Sequence, residues 1–270
     1  MNKKQSAKKR IIINGLLTVS EIKLCSDNLI EISFISSKPL PIEDQWIGPH
    51  MTLLFPDQNG DLAFPTINQD NQIIWQDGAQ ERVRIYSVRQ YDVKKQILSV
   101  IFVIHDQGKA TNWARNAKIN DVIGIIGLGA KSTYDIDKQW ILAGDLSALP
   151  AICYTLEHAP AQQQILAFIE IKNKSDIQTL NLPANANANA NVNWLVQTHD
   201  ENSLPEQMVK YLNDLSDTSK IMIWGGLESS AAQQLRHTIM DLFPTLTREN
   251  LSLISYWRKG FAEGEFKHHD

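Results

Sequence analysis

A change of period near residue 133 constrains this chain more than any other feature. Before it lie short β-type runs: RIIINGLLTVSEIKLC, LIEISFISS, HMTLLF, RVRIYSVRQY, ILSVIFVIH and DVIGIIG. Turn signals such as SDN, PDQNGD and DVKKQ separate several of them, with no long helical pattern between. Six or so short strands of this kind predict a small antiparallel β-barrel. After residue 133 the runs QWILAG, QILAFIEI, VNWLVQT, KIMIWGG and LSLISYW read as strands. SALPAICYTLEHA, PEQMVKYLNDL and ESSAAQQLRHTIMDLF read as helices. Strands alternating with helices predict a mostly parallel sheet with both faces covered. The expected fold class is therefore β plus α/β: an N-terminal antiparallel barrel over 1–133, then an α/β domain over 134–270. A length of 270 residues suits two domains better than one.

A formal net charge of -4 argues against a nucleic-acid partner, which needs a basic surface. No apolar run reaches the length of a membrane span, and IIINGLL is too short and too broken for a signal peptide. A cytoplasmic protein is the expectation, with MNKKQSAKKR as a solvated tail. Cys25 and Cys153 have no metal-type spacing and read as small buried hydrophobes. The histidines show no metalloenzyme pattern, so no protein-held metal is expected. The segment PANANANANVNW, residues 183–194, reads as a flexible loop, because asparagine is poor in strands.

Three stretches can carry chemistry. In RVRIYSVRQY, residues 82–91, alternation puts Arg82, Arg84, Tyr86 and Val88 on one face and Ile85, Ser87 and Arg89 on the other. A strand that served only a core would keep one register apolar, whereas this one sets cations beside a ring. A half-exposed strand with solvated arginines is the competing reading. In HDQGKATNWA, residues 105–114, Gly108 allows close backbone approach, and Thr111 stands near the start of a short helix. N–H groups at such a start hold phosphate oxygens, although an ordinary Thr111 cap and a core Trp113 explain the stretch too. A ligand with phosphates and a flat ring would use Arg84, Tyr86 and this turn together. In LAGDLSALPAI, residues 142–152, Ser147 reads as a helix N-cap and Pro150 as a first-turn residue. Ligands bind at such strand-to-helix switches in open parallel sheets, but the G-x-G-x-x-G signature is absent. Capping alone explains Asp145 and Ser147 equally well.

The patterns R-I-Y-S-V-R, H-x-x-G-x-A-T-x-W-A, L-A-G-D-x-x-A-L-P-A-I and S-Y-W-R-K-G occur in that order. Together they resemble the siderophore-interacting protein family, FAD-dependent ferric-siderophore reductases related to the ferredoxin–NADP reductase superfamily. The resemblance runs from about Leu24 to Gly260. It implies an FAD-binding barrel and a domain similar to an NAD(P)H-binding one. It implies that Arg84 pairs with the flavin diphosphate and that Tyr86 packs on the isoalloxazine, with Ser87 near its reactive edge and Val88 in the same stretch. His105, Ala110, Thr111 and Trp113 fall on the family's second FAD-binding stretch; Lys109 departs from the family's proline there and adds a cation that can serve phosphate.

The resemblance also implies a reaction: siderophore-bound Fe(III) is reduced to Fe(II) and released from its chelate. Carriage of the chelate without turnover, or plain NAD(P)H:flavin or ferredoxin reduction, are the alternatives. Thr52 stands where the family often has a basic residue, and Lys131, Arg258, Lys259 and Lys267 are the cations that can replace it toward an anionic siderophore. For each of these, simple solvation is the commoner fate of a surface cation. The family's Gly-Asp-Glu-Thr is here Gly144, Asp145, Leu146 and Ser147. The donor is NAD(P)H, seated near Asp145, Ser147 and Glu228, or a reduced ferredoxin on a basic patch. Leu227 replaces a family glycine in WGGLES. Its bulk, with the negative charge of Asp145, tilts the expectation toward the protein donor.

Overall fold

The structure, a computed structural model, describes residues 12–70, 72–76, 78–105, 108–182, 190–197 and 203–261. The first half contains β1 (Ile12–Ser26), β2 (Leu29–Ser36), β3 (Trp46–Ile47), β4 (His50–Leu54), β5 (Thr66–Ile67) and β6 (Ile73–Ile74). It continues with β7 (Val83–Ser87), β8 (Gln90–Asp92), β9 (Ile97–Val103), α1 (Lys109–Asn116), β10 (Val122–Gly129) and β11 (Ser132–Thr133). Seven strands form one antiparallel sheet in the order β7-β4-β10-β1-β2-β9-β8.

The two edge strands of that sheet are consecutive in sequence. Flat, seven strands would hold β7 and β8 about 29 Å apart, yet only Val88 and Arg89 join them, a link spanning about 10 Å. The sheet therefore curls until its edges meet, which makes a barrel. RVRIYSVRQY is thus not one strand, as its alternation suggests. It pairs with β4 up to Ser87 and with β9 from Gln90, and the Val88 and Arg89 N–H groups bond to Pro49 and Ser99 carbonyls. In β2, Ile30, Ile32 and Phe34 face the interior while Ile35 is exposed, the period-two pattern of a strand with one dry face. Helix α1 plugs the barrel with Ala110 and Ala114, and the Trp113 ring lies 5.4–6.2 Å from those of Phe34, Phe55 and Phe102.

The second half comprises β12 (Gln139–Gly144), α2 (Leu149–His158), β13 (Gln164–Ile171), β14 (Ala190–Val196), α3 (Leu204–Asn213), β15 (Ile221–Glu228), α4 (Ser229–Leu242) and β16 (Leu251–Trp257). The strand order is β14-β13-β12-β15-β16, and every pairing is parallel. Central β12 is apolar from Trp140 to Gly144 because both its faces are covered. Trp140 and Leu142 join a core with α2, and Ile141 and Ala143 join one with α3 and α4. The segment 183–194 is not wholly a loop: residues 190–194 belong to β14. Parallel pairing with β13 and packing of Val192, Trp194 and Leu195 against the two cores override the poor strand propensity of Asn191 and Asn193. Residues 183–189 lie outside the described residues, as do the leader and the KHHD tail.

A continuous core joins the two halves, with Leu29, Ile47 and Ile101 of the barrel packed among the residues around α2. Polar links surround it. Arg89 donates to both carboxylate oxygens of Glu157, at 2.6 and 3.0 Å, and both side chains are buried. The fully buried Asp176 accepts from Ser26 Oγ and from Asn28 Nδ2. Cys153 is buried, but Cys25 is only half-buried, with Sγ 3.7 Å from a Glu31 carboxylate oxygen. Among the described residues no helix is long and apolar enough to cross a membrane.

Candidate functional site

At the barrel rim, two stretches far apart in sequence meet. Arg84, buried on β7, points its Nη1 at the carbonyls of Glu81 (2.9 Å) and Val83 (2.6 Å). Lys109, at the start of α1, reaches the same Glu81 carbonyl at 3.5 Å and the Glu81 carboxylate at 3.8 Å. Two cations thus converge on one carbonyl oxygen, with the Glu81 carboxylate beside Lys109. Gly108 precedes α1 with φ 144°, a conformation that favours glycine, and a Cβ there would lie 2.8 Å from the His105 ring.

The other chemistry-bearing residues of these stretches have internal partners. The Thr111 hydroxyl donates to the Val103 carbonyl at 3.0 Å, and the residue is buried. Thr111 is therefore inside α1 as an anchor to β9. Trp113 lies in the barrel core. Tyr86 is half-buried, its ring 4.6 Å from that of Phe102. Val88 is fully buried at the link that closes the barrel.

Ser87, at the end of β7, meets the second half of the chain. Its Oγ lies 3.5 Å from the Tyr256 hydroxyl. Burial pushes that phenol up to about 12, so it stays protonated at neutral pH. A Cβ on Gly226 would stand 2.7 Å from the Tyr256 ring, so this glycine makes the bed on which the ring lies.

The strand order reverses between β12 and β15, the place where open α/β sheets bind ligands. Asp145, Ser147 and Glu228 come together there. Asp145 Oδ1 accepts from the Ser147 N–H at 2.8 Å and from its hydroxyl. Oδ2 accepts from the Glu228 N–H at 3.2 Å and from the indole Nε1 of Trp257 at 2.8 Å. Burial still raises the Asp145 carboxyl above its ordinary value. Ser147 is not the N-cap. Helix α2 begins two residues later, at Leu149, whose N–H bonds the Asp145 carbonyl, and Pro150 occupies the first turn. Glu228 caps α4, accepting from Ser230 N–H at 2.7 Å and Ala231 N–H at 3.2 Å. These donors hold its carboxyl low. Leu227 does not narrow the crevice, because it is buried on the opposite side, in the core with α4.

Lys131, Arg258 and Lys259 are exposed, and the Arg258 guanidinium stacks on Phe261 at 4.3 Å. Thr52 is half-buried beside Ile85. Lys267 lies outside the described residues. Among the described residues no group of histidines, cysteines and carboxylates can hold a metal. Glu81, Tyr256 and Trp257 carry parts of this geometry that no sequence pattern assigns. Tyr256 and Trp257 stand within SYWRKG, but nothing in that motif says that they reach Ser87 and Asp145.

A closed antiparallel barrel followed by a parallel five-stranded sheet is the fold of ferredoxin reductase-like proteins. The ferredoxin reductase of carbazole 1,9a-dioxygenase superposes with a TM-score of 0.66 at 12% identity, covering 91% of this chain and 70% of that one. Residues 18–131 match the siderophore-interacting FAD-binding domain, and residues 137–260 match the siderophore-interacting protein domain. Between them the two matches span most of the chain, which belongs to the siderophore-interacting protein family, and its cofactor is FAD. Ferric vibriobactin reductase ViuB of Vibrio cholerae is 27% identical over 255 residues, 92% of this chain and 90% of that protein. A siderophore utilization protein from T. fusca superposes with a TM-score of 0.73 at 22% identity, covering 97% of this chain and all of the other.

The residue types at the rim fit FAD: two cations, Arg84 and Lys109, meet at the Glu81 carbonyl, Gly108 precedes α1, and Tyr86 and Ser87 stand on β7.

Proposed function

We propose that this protein uses FAD to reduce siderophore-bound Fe(III) to Fe(II), releasing the iron from its chelate in the cytoplasm. Residues 1–133 form the FAD-binding domain and residues 134–270 the NAD(P)H-binding-like one. The convergence of Arg84 and Lys109 on one carbonyl oxygen carries the reading, because two cations from separate stretches suit a diphosphate. The Lys109, Ala110 and Thr111 N–H groups precede the first bond of α1, Asn112 N–H to Gly108 O, and are the backbone donors this reading gives to the same anion, with His105 in the same stretch. Tyr86 backs the ring, and Ser87 and Tyr256 border its reactive edge. FAD, where bound, supplies the electron transfer to the ferric centre. The iron is substrate and brings its own oxygen donors, so the chain needs no metal ligands. Lys131, Arg258, Lys259 and Lys267 supply cationic surface for the chelate.

A nicotinamide dinucleotide in the crevice between β12 and β15 is the electron donor. With Leu227 in the core, no added bulk closes that crevice. It brings two electrons and each Fe(III) takes one, so one donor serves two chelates. A reduced ferredoxin is the second reading, favoured by the buried Asp145 carboxylate at the switch between β12 and β15, which opposes a pyrophosphate there.

Purified protein is expected to be yellow. Arg84→Ala removes charge-assisted bonds to the diphosphate, each about 1.5–3 kcal/mol. FAD retention on dialysis, read by flavin absorbance, should weaken about 10- to 100-fold. Lys259→Ala should leave the flavin in place and weaken only the chelate. In stopped-flow mixing of reduced protein with ferric siderophore, flavin re-oxidation should be matched by Fe(II) captured by a chromogenic chelator. Re-oxidation without Fe(II) would refute the reductase reading.

A further inference from the structure

We infer that the basic leader, through Lys3, Lys4, Lys8, Lys9 and Arg10, gathers an anionic ferric chelate at the flavin edge, so that the protein favours anionic chelates over neutral ones. This rests on the reading that a ferric chelate is the substrate. Residues 1–10 carry five cations and no carboxylate. Setting those five aside leaves 21 cations against 30 carboxylates in the rest of the chain. An acidic body repels an anionic chelate, so long-range attraction has to come from a separate block of positive charge.

The sheet topology fixes where that block joins the barrel. The leader runs into β1 at Ile12, and Ile12 pairs with Gly127 of β10. Gly127 pairs with Thr52 of β4, and Thr52 pairs with Ile85 of β7. These four residues make one cross-strand row. Met51 and Leu53 belong to the barrel core, so Thr52 between them faces outwards with its row. No member of the row is charged, and Ile85 is exposed. Ser87 stands two residues further along β7, on the same face. Three strand spacings and two residues put Ile12 and Ser87 roughly 16 Å apart along the sheet. Four residues of extended chain cover about 13–14 Å, so Lys8, Lys9 and Arg10 have the reach to bring charge to this uncharged face.

The chemistry of the chelate decides whether such charge matters. Three dianionic catecholates around Fe(III) leave a trianion, whereas three monoanionic hydroxamates leave a neutral complex. Tethered cations raise the local concentration of the first and do nothing for the second. The leader takes no part in the electron step, and its contribution is confined to encounter and binding.

Titration of the oxidised, flavin-loaded protein, followed by quenching of tryptophan fluorescence, tests this without turnover. The variant carries Lys3→Gln, Lys4→Gln, Lys8→Gln, Lys9→Gln and Arg10→Gln together. At low salt it should bind the ferric complex of a hexadentate tris-catecholate about tenfold more weakly than the intact protein does. In about 1 M salt, where charges are screened within about 3 Å, the two affinities should converge. The ferric complex of a hexadentate tris-hydroxamate should bind both proteins alike. Lys3→Arg, Lys4→Arg, Lys8→Arg and Lys9→Arg together should keep the intact affinity, because charge is what the leader supplies. Flavin absorbance and the thermal midpoint should hold in every variant. Equal trianion affinity with and without the five cations, or an equal loss for both chelates, overturns the inference and leaves the reductase reading standing. Loss of sedimentation with phosphatidylserine vesicles, with chelate binding unchanged, assigns the leader to a lipid surface and overturns it too. Binding of neither chelate by the intact protein overturns the substrate reading itself and this inference with it.

Discussion

Arg89→Ala is expected to lower the unfolding free energy by about 3–5 kcal/mol, among the largest losses available from one surface-remote side chain. Arg89 lies in the two-residue link that closes the barrel, and its guanidinium binds Glu157 of α2 through two parallel bonds. Both side chains are buried, so truncating the arginine leaves the Glu157 carboxylate in a dry interface with the Asn181 N–H as its remaining described partner. The cost is that of an uncompensated buried charge rather than of a lost attraction. At about 2–4 °C per kcal/mol, the thermal midpoint should fall by about 6–20 °C. The double substitution Arg89→Met with Glu157→Met should recover most of the loss, since it removes both charges together. Failure of the double variant to recover would mean that the contribution of Arg89 lies in barrel closure and not in the ion pair.

Gly48→Ala should be nearly as damaging, by about 2–5 kcal/mol. Gly48 links β3 to β4 with φ +59°, and a Cβ there would stand 2.1 Å from the buried Trp224 ring of β15. Its N–H also donates to Thr155 Oγ1 of α2 at 2.9 Å, so the backbone cannot retreat without breaking that bond. Trp224 in turn packs edge-on against Tyr256 at 6.3 Å. Disturbance at Gly48 should therefore reach Ser87 and appear in the near-ultraviolet circular dichroism of the tryptophans. Gly60→Ala is the control. Its φ is +90° with nothing within 4 Å, so it carries backbone strain alone, about 1–2 kcal/mol. Equal losses at the two glycines would refute the steric account of Gly48.

Much of the architecture was readable in the amino-acid order. QILAFIEI is β13 residue for residue, and QWILAG is β12, because strands buried on both faces are written as nearly continuous apolar runs. The two-residue strands β3, β5, β6 and β11 have no such signature, since two residues show no period. The PANANANANVNW segment misled because propensity is local, whereas the pairing that makes residues 190–194 a strand is not.

The residue types of the site were legible too: a cation, a ring and a hydroxyl on one strand, and a glycine before a short helix. Their destinations were not. Arg84 and Arg89 lie five places apart in one motif, yet one aims at the rim and the other locks two halves of the molecule together. The chain order holds the local rules of alternation, capping and turn chemistry, which act over a few residues. The seven-stranded sheet joins its edges between those arginines, and contacts such as Lys109 with Glu81 or Tyr256 with Ser87 arise only once it has closed. Long-range packing decides which neighbour each side chain meets, and no short-range pattern encodes it.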